Sequence, residues 1–145
     1  MRSDDTMNVQ WNLTPEEIES ESFRRIEAEV GPHSFGIREW RVVRRLIHTT
    51  ANFEIARHIR FFGDPVSAGL AALRDGAPIY CDSNMIRSGL SVARLGKLNP
   101  GYGPGRIHCR VDDPDVVREA KARGQTRALT AMEASVGIVN GGIVL

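Results

Sequence analysis

The chain has 145 residues, of which 41% are hydrophobic and 26% are charged, and this is the length and composition of one ordinary globular domain with a single core. Nineteen Lys and Arg residues against eighteen Asp and Glu residues leave a net charge of +1, so no strong overall field favours nucleic acid or an anionic membrane as a partner. No apolar stretch reaches the roughly 20 residues that a membrane-spanning helix needs.

The first twelve residues and the two cysteines bear on the location of the protein. Residues 1–12 are polar, lack the apolar segment of a signal peptide, and are predicted to form a flexible tail. Cys81 and Cys109 lie in short apolar runs, without a second Cys or His at metal-ligand spacing. We therefore expect buried, reduced thiols, a cytoplasmic protein and no metal site.

An N-terminal helical segment is predicted to precede any strand. Thr14 and Glu17 have the spacing of a capping box, so the first helix should begin after Thr14 and end near residue 30. Apolar residues at helical spacing predict a second helix that ends near His48. Thr50 is expected to cap a third helix, and a fourth should begin at Asp64.

Strands and helices alternate in the second half of the chain. Residues 77–81 are apolar on both faces, as in a parallel sheet covered on both sides, and residues 106–111 alternate enough for a second strand. Helices should begin at 112–115 and cover 126–134, and residues 141–145 resemble the opening of a third strand. The predicted fold is α/β, a parallel sheet with flanking helices in Rossmann-like layers.

The carboxyl ends of the predicted strands are the expected place for a ligand, because open α/β sheets bind ligands there. Residues 81–85 supply a carboxylate, a hydroxyl, an amide and a thioether directly after the first strand. The segment after Val111 follows the second strand. Asp82 and Ser83 would serve equally well as plain caps of the next helix, and this alternative stays open.

His48 is the candidate proton donor. A histidine can gain and lose a proton near neutral pH, and the dipole of a helix stabilises a protonated imidazole at its C-terminal end. This position suits an acid catalyst and also suits a simple cap. Five arginines have the chemistry to bind carboxylates of a ligand: Arg44, Arg45, Arg87, Arg94 and Arg127.

Residues 95–105 are glycine-rich and are predicted to form a long loop. The loop precedes a strand and lacks the Lys and Ser/Thr that reach phosphates in a nucleotide-binding loop. A nucleotide-binding regulatory domain is therefore the weakest of the functional hypotheses.

Four segments of the chain form an ordered set of motifs: Ser22 and Phe23 with Ile26 and Glu29, residues 43–48, residues 76–82 with Met85 and Gly89, and residues 124–127. Together they resemble the motifs of the precorrin isomerase (precorrin-8X methylmutase) family of corrin biosynthesis. The matches run from Ser22 to Leu145. The resemblance implies a single precorrin isomerase-like domain over residues 1–145, a parallel α/β sheet and a homodimer. From the charge balance and the lack of a long apolar stretch we expect no nucleic-acid or membrane partner.

Members of this family move a methyl group from C11 to C12 of precorrin-8X to give hydrogenobyrinic acid, or convert cobalt-precorrin-8 to cobyrinic acid, without an added cofactor. The resemblance implies that His48 protonates the tetrapyrrole. It also implies a set of side chains that contact this substrate, whose acetate and propionate arms suit arginine: Ser22, Arg45, Asp82, Met85, Ser91, Thr126 and Arg127.

Two features depart from the family pattern. The loop at 95–105 is longer and richer in glycine than is usual, and the family continues after the strand at 141–145 with an Ile-Gly-Asn-Ala-Pro-Thr segment and further sheet and helix. We therefore expect a C-terminally incomplete domain. A tetrapyrrole-binding module or remnant without turnover stays open as the alternative to an isomerase, and the choice between the cobalt-free and the cobalt-containing substrate stays open too.

Overall fold

The computed structural model describes residues 12–145, which divide after Gly63 into two compact units. Eleven of the twelve residues predicted to form a flexible tail lie outside the described residues. The single domain over 1–145 stays a prediction.

The first unit is helical, as predicted. Its helices are α1 (Pro15–Val30), α2 (Ile37–Thr50) and the single-turn α3 (Ile55–His58). The predicted capping box is confirmed, because the Thr14 hydroxyl accepts from the Glu17 backbone N–H at 3.2 Å and the Glu17 carboxylate accepts from the Thr14 N–H at 2.7 Å. These two bonds satisfy donors that a helix start leaves free, and they explain why α1 begins where it does.

The predicted cap of α3 by Thr50 is wrong. Helix α2 continues past His48 to Thr50, and it ends where Ala51 adopts a left-handed conformation with φ of 52°. The Thr50 hydroxyl donates to the Leu46 carbonyl at 2.8 Å, a bond to the residue one turn earlier in the same helix. Helix α3 follows Glu54, which makes no side-chain cap.

Three buried residues form the core between α1 and α2. Ile26, Val43 and Ile47 are at most 4% exposed, and partly buried aromatic side chains pack around them. Ser22 lies four residues before Ile26 on α1, and His48 directly follows Ile47 on α2. Because residues four apart share one face of a helix, burial of this core brings Ser22 and His48 to the same helix-helix contact.

The second unit contains a parallel sheet, which confirms the predicted α/β class. Its strands are β1 (Ile79–Tyr80), β2 (Ile107–His108) and β3 (Ile143–Val144), in the order β2-β1-β3. All three lie within the predicted strand segments, although only two residues of each belong to the ladder. The central strand β1 is buried on both faces, which explains why its sequence does not alternate.

Helices of the second unit flank this sheet. They are α4 (Pro65–Arg74), α5 (Asn84–Gly89), α6 (Val92–Leu98), α7 (Pro114–Arg123), α8 (Arg127–Glu133) and α9 (Val136–Val139). The starts predicted for α4, α7 and α8 are confirmed within two residues, and Asp64 caps α4 by accepting from the Ser67 N–H at 3.1 Å. Helix α9 is not anticipated by the sequence pattern.

The long loop predicted at 95–105 is shorter in the structure. Its first four residues belong to α6, because Leu95 packs on the core and this burial outweighs the poor helix propensity of the neighbouring glycine. Its last residues form one turn of 3-10 helix, Pro104–Arg106. Only residues 99–103 remain as an irregular connection.

That connection has a structural role beside the sheet. Tyr102 is 5% exposed and belongs to the second core together with Ile79, Cys81 and Ile107, and its hydroxyl donates to the Ala77 carbonyl at 2.9 Å. The Asn99 amide donates to the Arg74 carbonyl at 2.7 Å. The glycine-rich stretch therefore holds an aromatic anchor against the sheet.

Candidate functional site

The histidine cluster of the first unit consists of Ser22, Phe23, Arg44, Arg45 and His48. Nδ1 of His48 lies 2.7 Å from Oγ of Ser22, and this hydrogen bond is partly buried. The Phe23 ring meets the imidazole edge-on, with 5.4 Å between ring centroids. A histidine held through one ring nitrogen presents the other, so this arrangement leaves Nε2 for a ligand.

The two arginines of the histidine cluster lie over Phe23. Their guanidinium carbons are 4.2 Å (Arg44) and 4.8 Å (Arg45) from the centre of its ring, close enough for cation–π attraction. Arg44 forms an ion pair with Glu27. Arg45 donates to both carboxylate oxygens of Glu19, which raises the pKa of Arg45. A ligand carboxylate would therefore compete with Glu19 for Arg45.

The strand-end cluster of the second unit consists of Asn84, Asp112 and Arg127. One oxygen of the Asp112 carboxylate accepts from the Asn84 amide and the other from Nη1 of Arg127, each at 2.6 Å. Asn84 begins α5 after β1, Asp112 follows β2, and β1 and β2 are paired neighbours in the sheet. The two segments predicted to carry a ligand site thus meet through one carboxylate at the carboxyl edge of the sheet.

Three hydroxyls of the second unit cap helices. Oγ of Ser83 accepts from the Ile86 N–H at 3.4 Å, Oγ of Ser91 from the Arg94 N–H at 3.3 Å, and Oγ1 of Thr126 from the Leu129 N–H at 3.2 Å. The plain-cap interpretation is therefore correct for Ser83. Ser91 and Thr126 are also caps, and their predicted contacts with a ligand stay predictions.

Asp82 is not a cap. It is exposed, its backbone N–H donates to the Leu145 carbonyl at 3.0 Å, and within residues 12–145 its carboxylate accepts no hydrogen bond. Met85 is 82% exposed, which puts its thioether in solvent. Both side chains are therefore accessible to a ligand.

A pocket of about 840 Å³ opens elsewhere in the first unit. Its lining comes from the α1–α2 connection and from the segment around α3, and it includes His33, Phe35, Phe53 and Arg60. Ser22, Arg45 and His48 do not line it. No sequence motif marks this pocket, because its walls are brought together from separate loops.

The two cysteines differ in burial: Cys81 is buried as expected, whereas Cys109 is only partly buried. Cys81 is buried in the second core, and this burial raises the pKa of its thiol, which keeps the thiol protonated and unreactive.

Within residues 12–145, no three His, Cys, Asp or Glu side chains come together as ligands for a metal ion. In the same part of the chain, every helix is too short or too polar to cross a membrane.

Asp112 lies in the segment after Val111 that was predicted to carry a ligand, but the sequence did not single it out and assigned it only to the start of a helix. The helix begins at Pro114, and the Asp112 carboxylate accepts hydrogen bonds from side chains of two other elements. The available signal was an acidic residue directly after the second parallel strand. Asn84, in contrast, lies inside the candidate segment 81–85.

Comparisons with known proteins agree with this description. The family described as precorrin-8X methylmutase matches residues 17–145. A cobalt-precorrin-8 methylmutase of Leptospira interrogans is 40% identical over 130 residues, which are 88% of this chain and 57% of that protein. A cobalt-precorrin-8 methylmutase of Priestia megaterium is 36% identical over 131 residues, 90% of this chain and 56% of that protein.

Solved structures give the same result. The precorrin-8X methyl mutase of Thermus thermophilus is 41% identical and superimposes with a TM-score of 0.71, over 89% of this chain and 60% of that one. A precorrin-8X methylmutase related protein at 24% identity and a TM-score of 0.69, over 85% of this chain and 61% of that one, supports the fold alone. The chain spans somewhat more than half the length of these relatives. Because the family match covers residues 17–145 and the sequence identities agree with it, the chain belongs to the precorrin-8X methylmutase family.

Proposed function

We propose that this chain is a methylmutase that moves a methyl group from C11 to C12 of precorrin-8X, or carries out the same rearrangement on the cobalt-containing substrate. The observation that carries the proposal is the 2.7 Å hydrogen bond between Ser22 and His48 in a member of this family. It supplies a titratable ring whose orientation is held by the protein. A general acid needs this orientation before its proton can be delivered to one atom of a substrate.

The proposed role of His48 is to protonate the tetrapyrrole. A proton on the macrocycle withdraws electron density from the ring, and this eases the migration of the methyl group, a formal 1,5-sigmatropic shift. Substrate and product are isomers, so the proton given by His48 returns once the methyl group has moved. Since Nδ1 is engaged by Ser22, Nε2 is the nitrogen that would deliver the proton.

The carboxylate arms of the substrate are the proposed ligands of the arginines. Guanidinium groups bind carboxylates by paired hydrogen bonds, and the strand-end cluster presents Arg127 from a fixed position. Arg45 would exchange Glu19 for an arm of the substrate. The remaining proposed contacts are Ser22, Asp82, Met85, Ser91 and Thr126.

We propose further that the protein acts in the cytoplasm as a homodimer and without an added cofactor. The support is the family resemblance together with two cysteines that are free rather than joined in a disulfide. Light scattering coupled to size-exclusion chromatography measures the mass in solution. A mass near twice 16.0 kDa would agree with the dimer, and a mass near 16.0 kDa would contradict it.

The decisive experiment mixes the purified chain with precorrin-8X and records the visible spectrum with time. Conversion to the chromophore of hydrogenobyrinic acid is expected from the unaltered chain. His48→Gln should bind the substrate and lose turnover by about 10²- to 10⁴-fold, the usual contribution of a general acid. His58→Gln is the matched control, because His58 is 78% exposed and pairs with Glu54 within its own helical turn, and this variant should keep full turnover.

The other outcomes have distinct meanings. Binding without conversion by the unaltered chain would contradict the isomerase and favour a tetrapyrrole-binding module. Equal turnover by His48→Gln and the unaltered chain would contradict the role of His48 while leaving the isomerase intact. Absence of both binding and conversion would contradict the proposed function.

A further inference from the structure

We infer that Asp112 is a positioning residue that holds Arg127, and with it Asn84, in the orientation in which Arg127 binds a carboxylate arm of the tetrapyrrole. The inference rests on the proposed function and extends it to a residue outside the motifs of the family resemblance. It starts from the strand-end cluster, where a single carboxylate joins three elements of the second unit.

Both carboxylate oxygens of Asp112 accept hydrogen bonds from other side chains. The Asn84 amide and Nη1 of Arg127 each lie 2.6 Å from one of these oxygens, and these partners are 28 and 15 residues away in the chain. Within residues 12–145, Arg127 has no other hydrogen-bond partner for its side chain, so Nε and Nη2 remain for a ligand. A guanidinium group anchored at one nitrogen thereby presents a second pair of donors in a fixed direction.

Folding alone does not account for this arrangement. The side chains of Arg127 and Asp112 are 54% and 59% exposed. Ion pairs that are this exposed contribute little to stability, because water screens the attraction and two long side chains lose freedom. The pair does fix the orientation of the Arg127 guanidinium group. An unanchored arginine at the surface samples many rotamers, and a ligand would have to restrict these on binding at a cost in entropy.

The negative charge of Asp112 has to be offset by its hydrogen-bond partners if an anionic ligand is to bind nearby. An unpaired carboxylate at the edge of the sheet would repel the acetate and propionate arms of the proposed substrate. With Arg127 on one oxygen and the Asn84 amide on the other, the negative charge is offset where the ligand approaches. Asp112 therefore acts through Arg127 rather than by touching the ligand.

The test measures the affinity for hydrogenobyrinic acid, the product, by its visible absorbance in a titration. Asp112→Asn keeps the shape of the side chain and removes its charge. We expect its Kd to rise about two- to fivefold, the range that an exposed ion pair supports. With substrate, KM should rise by a similar factor while kcat is unchanged, because the lost contact acts on binding.

Two further variants separate positioning from a structural effect. In an Arg127→Gln background, Asp112→Asn should cause no additional loss of affinity, because the group through which it acts is gone. Asp115→Asn is the matched control: its carboxylate is 60% exposed and also pairs with an arginine, Arg110, so the variant removes an equivalent charge outside the cluster. It should bind the product as the unaltered chain does.

Three results would overturn the inference. Equal losses of affinity in both backgrounds would mean that Asp112 acts independently of Arg127. Unchanged or tighter binding by Asp112→Asn would mean that the carboxylate does nothing for the ligand or repels it. Failure of the unaltered chain to bind the product would overturn this inference, and conversion of precorrin-8X by the same chain would then show that the proposed function stands without it. The first two results also leave the proposed function standing.

Discussion

Oγ of Ser22 and Nδ1 of His48 meet at 2.7 Å although 26 residues separate them in the chain. Ser22 comes from the middle of α1 and His48 from the last turn of α2, and the two are brought together by the buried residues Ile26 and Ile47 beside them. The hydrogen bond restrains the rotation of the imidazole. A side chain that gives a proton to one atom of a substrate has to be restrained in this way.

Removal of the Ser22 hydroxyl should therefore lower turnover. For Ser22→Ala we expect kcat to fall about two- to tenfold, the equivalent of one net hydrogen bond, because the His48 ring loses its restraint. The measurement is the rate of the spectral change at saturating precorrin-8X. Ser22→Thr keeps a hydroxyl and is the control that should retain most of the rate. A rise in KM at constant kcat would instead make Ser22 a contact of the substrate.

The core that positions this pair should be sensitive to cavities. Ile47 is 1% exposed, and Ile47→Ala is expected to lower the free energy of unfolding by about 2–5 kcal/mol. The neighbouring Leu46 is 38% exposed, so Leu46→Ala removes a side chain of equal size at a cost below about 1 kcal/mol. Urea denaturation followed by circular dichroism compares the two variants. Equal losses would show that the α1–α2 contact is not the core of this unit.

The approach to β3 requires a glycine at one position. A β-carbon on Gly142 would lie 2.8 Å from the Pro78 carbonyl oxygen and 2.9 Å from that of Ile138, both of them backbone atoms. Gly142→Ala should therefore destabilise the protein by about 1–3 kcal/mol. Gly137 in α9 has open space around it, so Gly137→Ala should be neutral or stabilising by up to about 1 kcal/mol. Thermal melting of both variants tests the contrast, and a stable Gly142→Ala would contradict the pairing of β3 with β1.

The second unit should lose stability at alkaline pH. Burial raises the pKa of the Tyr80 and Tyr102 phenols above their usual 10.0 and that of the Cys81 thiol above 9.0. These groups ionise at the ordinary pH in the unfolded chain and later in the folded one, so their contribution to stability is fully present below pH 9 and is lost as the pH rises through the folded pKa values.

The melting temperature measured between about pH 8 and pH 11 tests this expectation, since tyrosine ordinarily ionises near 10. Tyr102→Phe should show a smaller alkaline decline, although it also loses the hydrogen bond to Ala77. The near-ultraviolet absorbance of tyrosinate provides a second measurement. Two buried tyrosines that ionise at their ordinary pKa while the protein stays folded would contradict the burial seen in the structure.

Much of the fold follows from local chemistry in the sequence. The capping box at Thr14 and the aspartate and proline at 64–65 set helix starts without help from the rest of the chain. The segment at 77–81 locates β1 by being apolar at successive positions, as expected for a strand that is buried on both faces. The alternation at 106–111 locates β2, and residues 141–145 locate β3. The family motifs, read in order, indicated the same class of protein.

Tertiary contacts decided what local patterns could not. Helix α6 forms where the glycines at 96 and beyond suggested a loop, because burial of Leu95 outweighs helix propensity. Thr50 continues α2 instead of capping α3, since its hydroxyl has a carbonyl one turn earlier to bind. Only the first difference is tertiary: Leu95 packs on the core of the second unit, whereas Thr50 bonds to Leu46 four residues earlier in the same helix.

The sequence by itself determined the class of fold, the family and the residue types available for chemistry, among them a histidine at a helix end and arginines suited to carboxylates. Only the tertiary structure decided the partners: Ser22 for His48, Glu19 for Arg45, and Asp112 for both Asn84 and Arg127. The physical reason is the distance along the chain over which each interaction acts. Capping and hydrophobic periodicity act within a few residues, whereas a hydrogen bond between distant side chains exists only after the cores beneath them have packed.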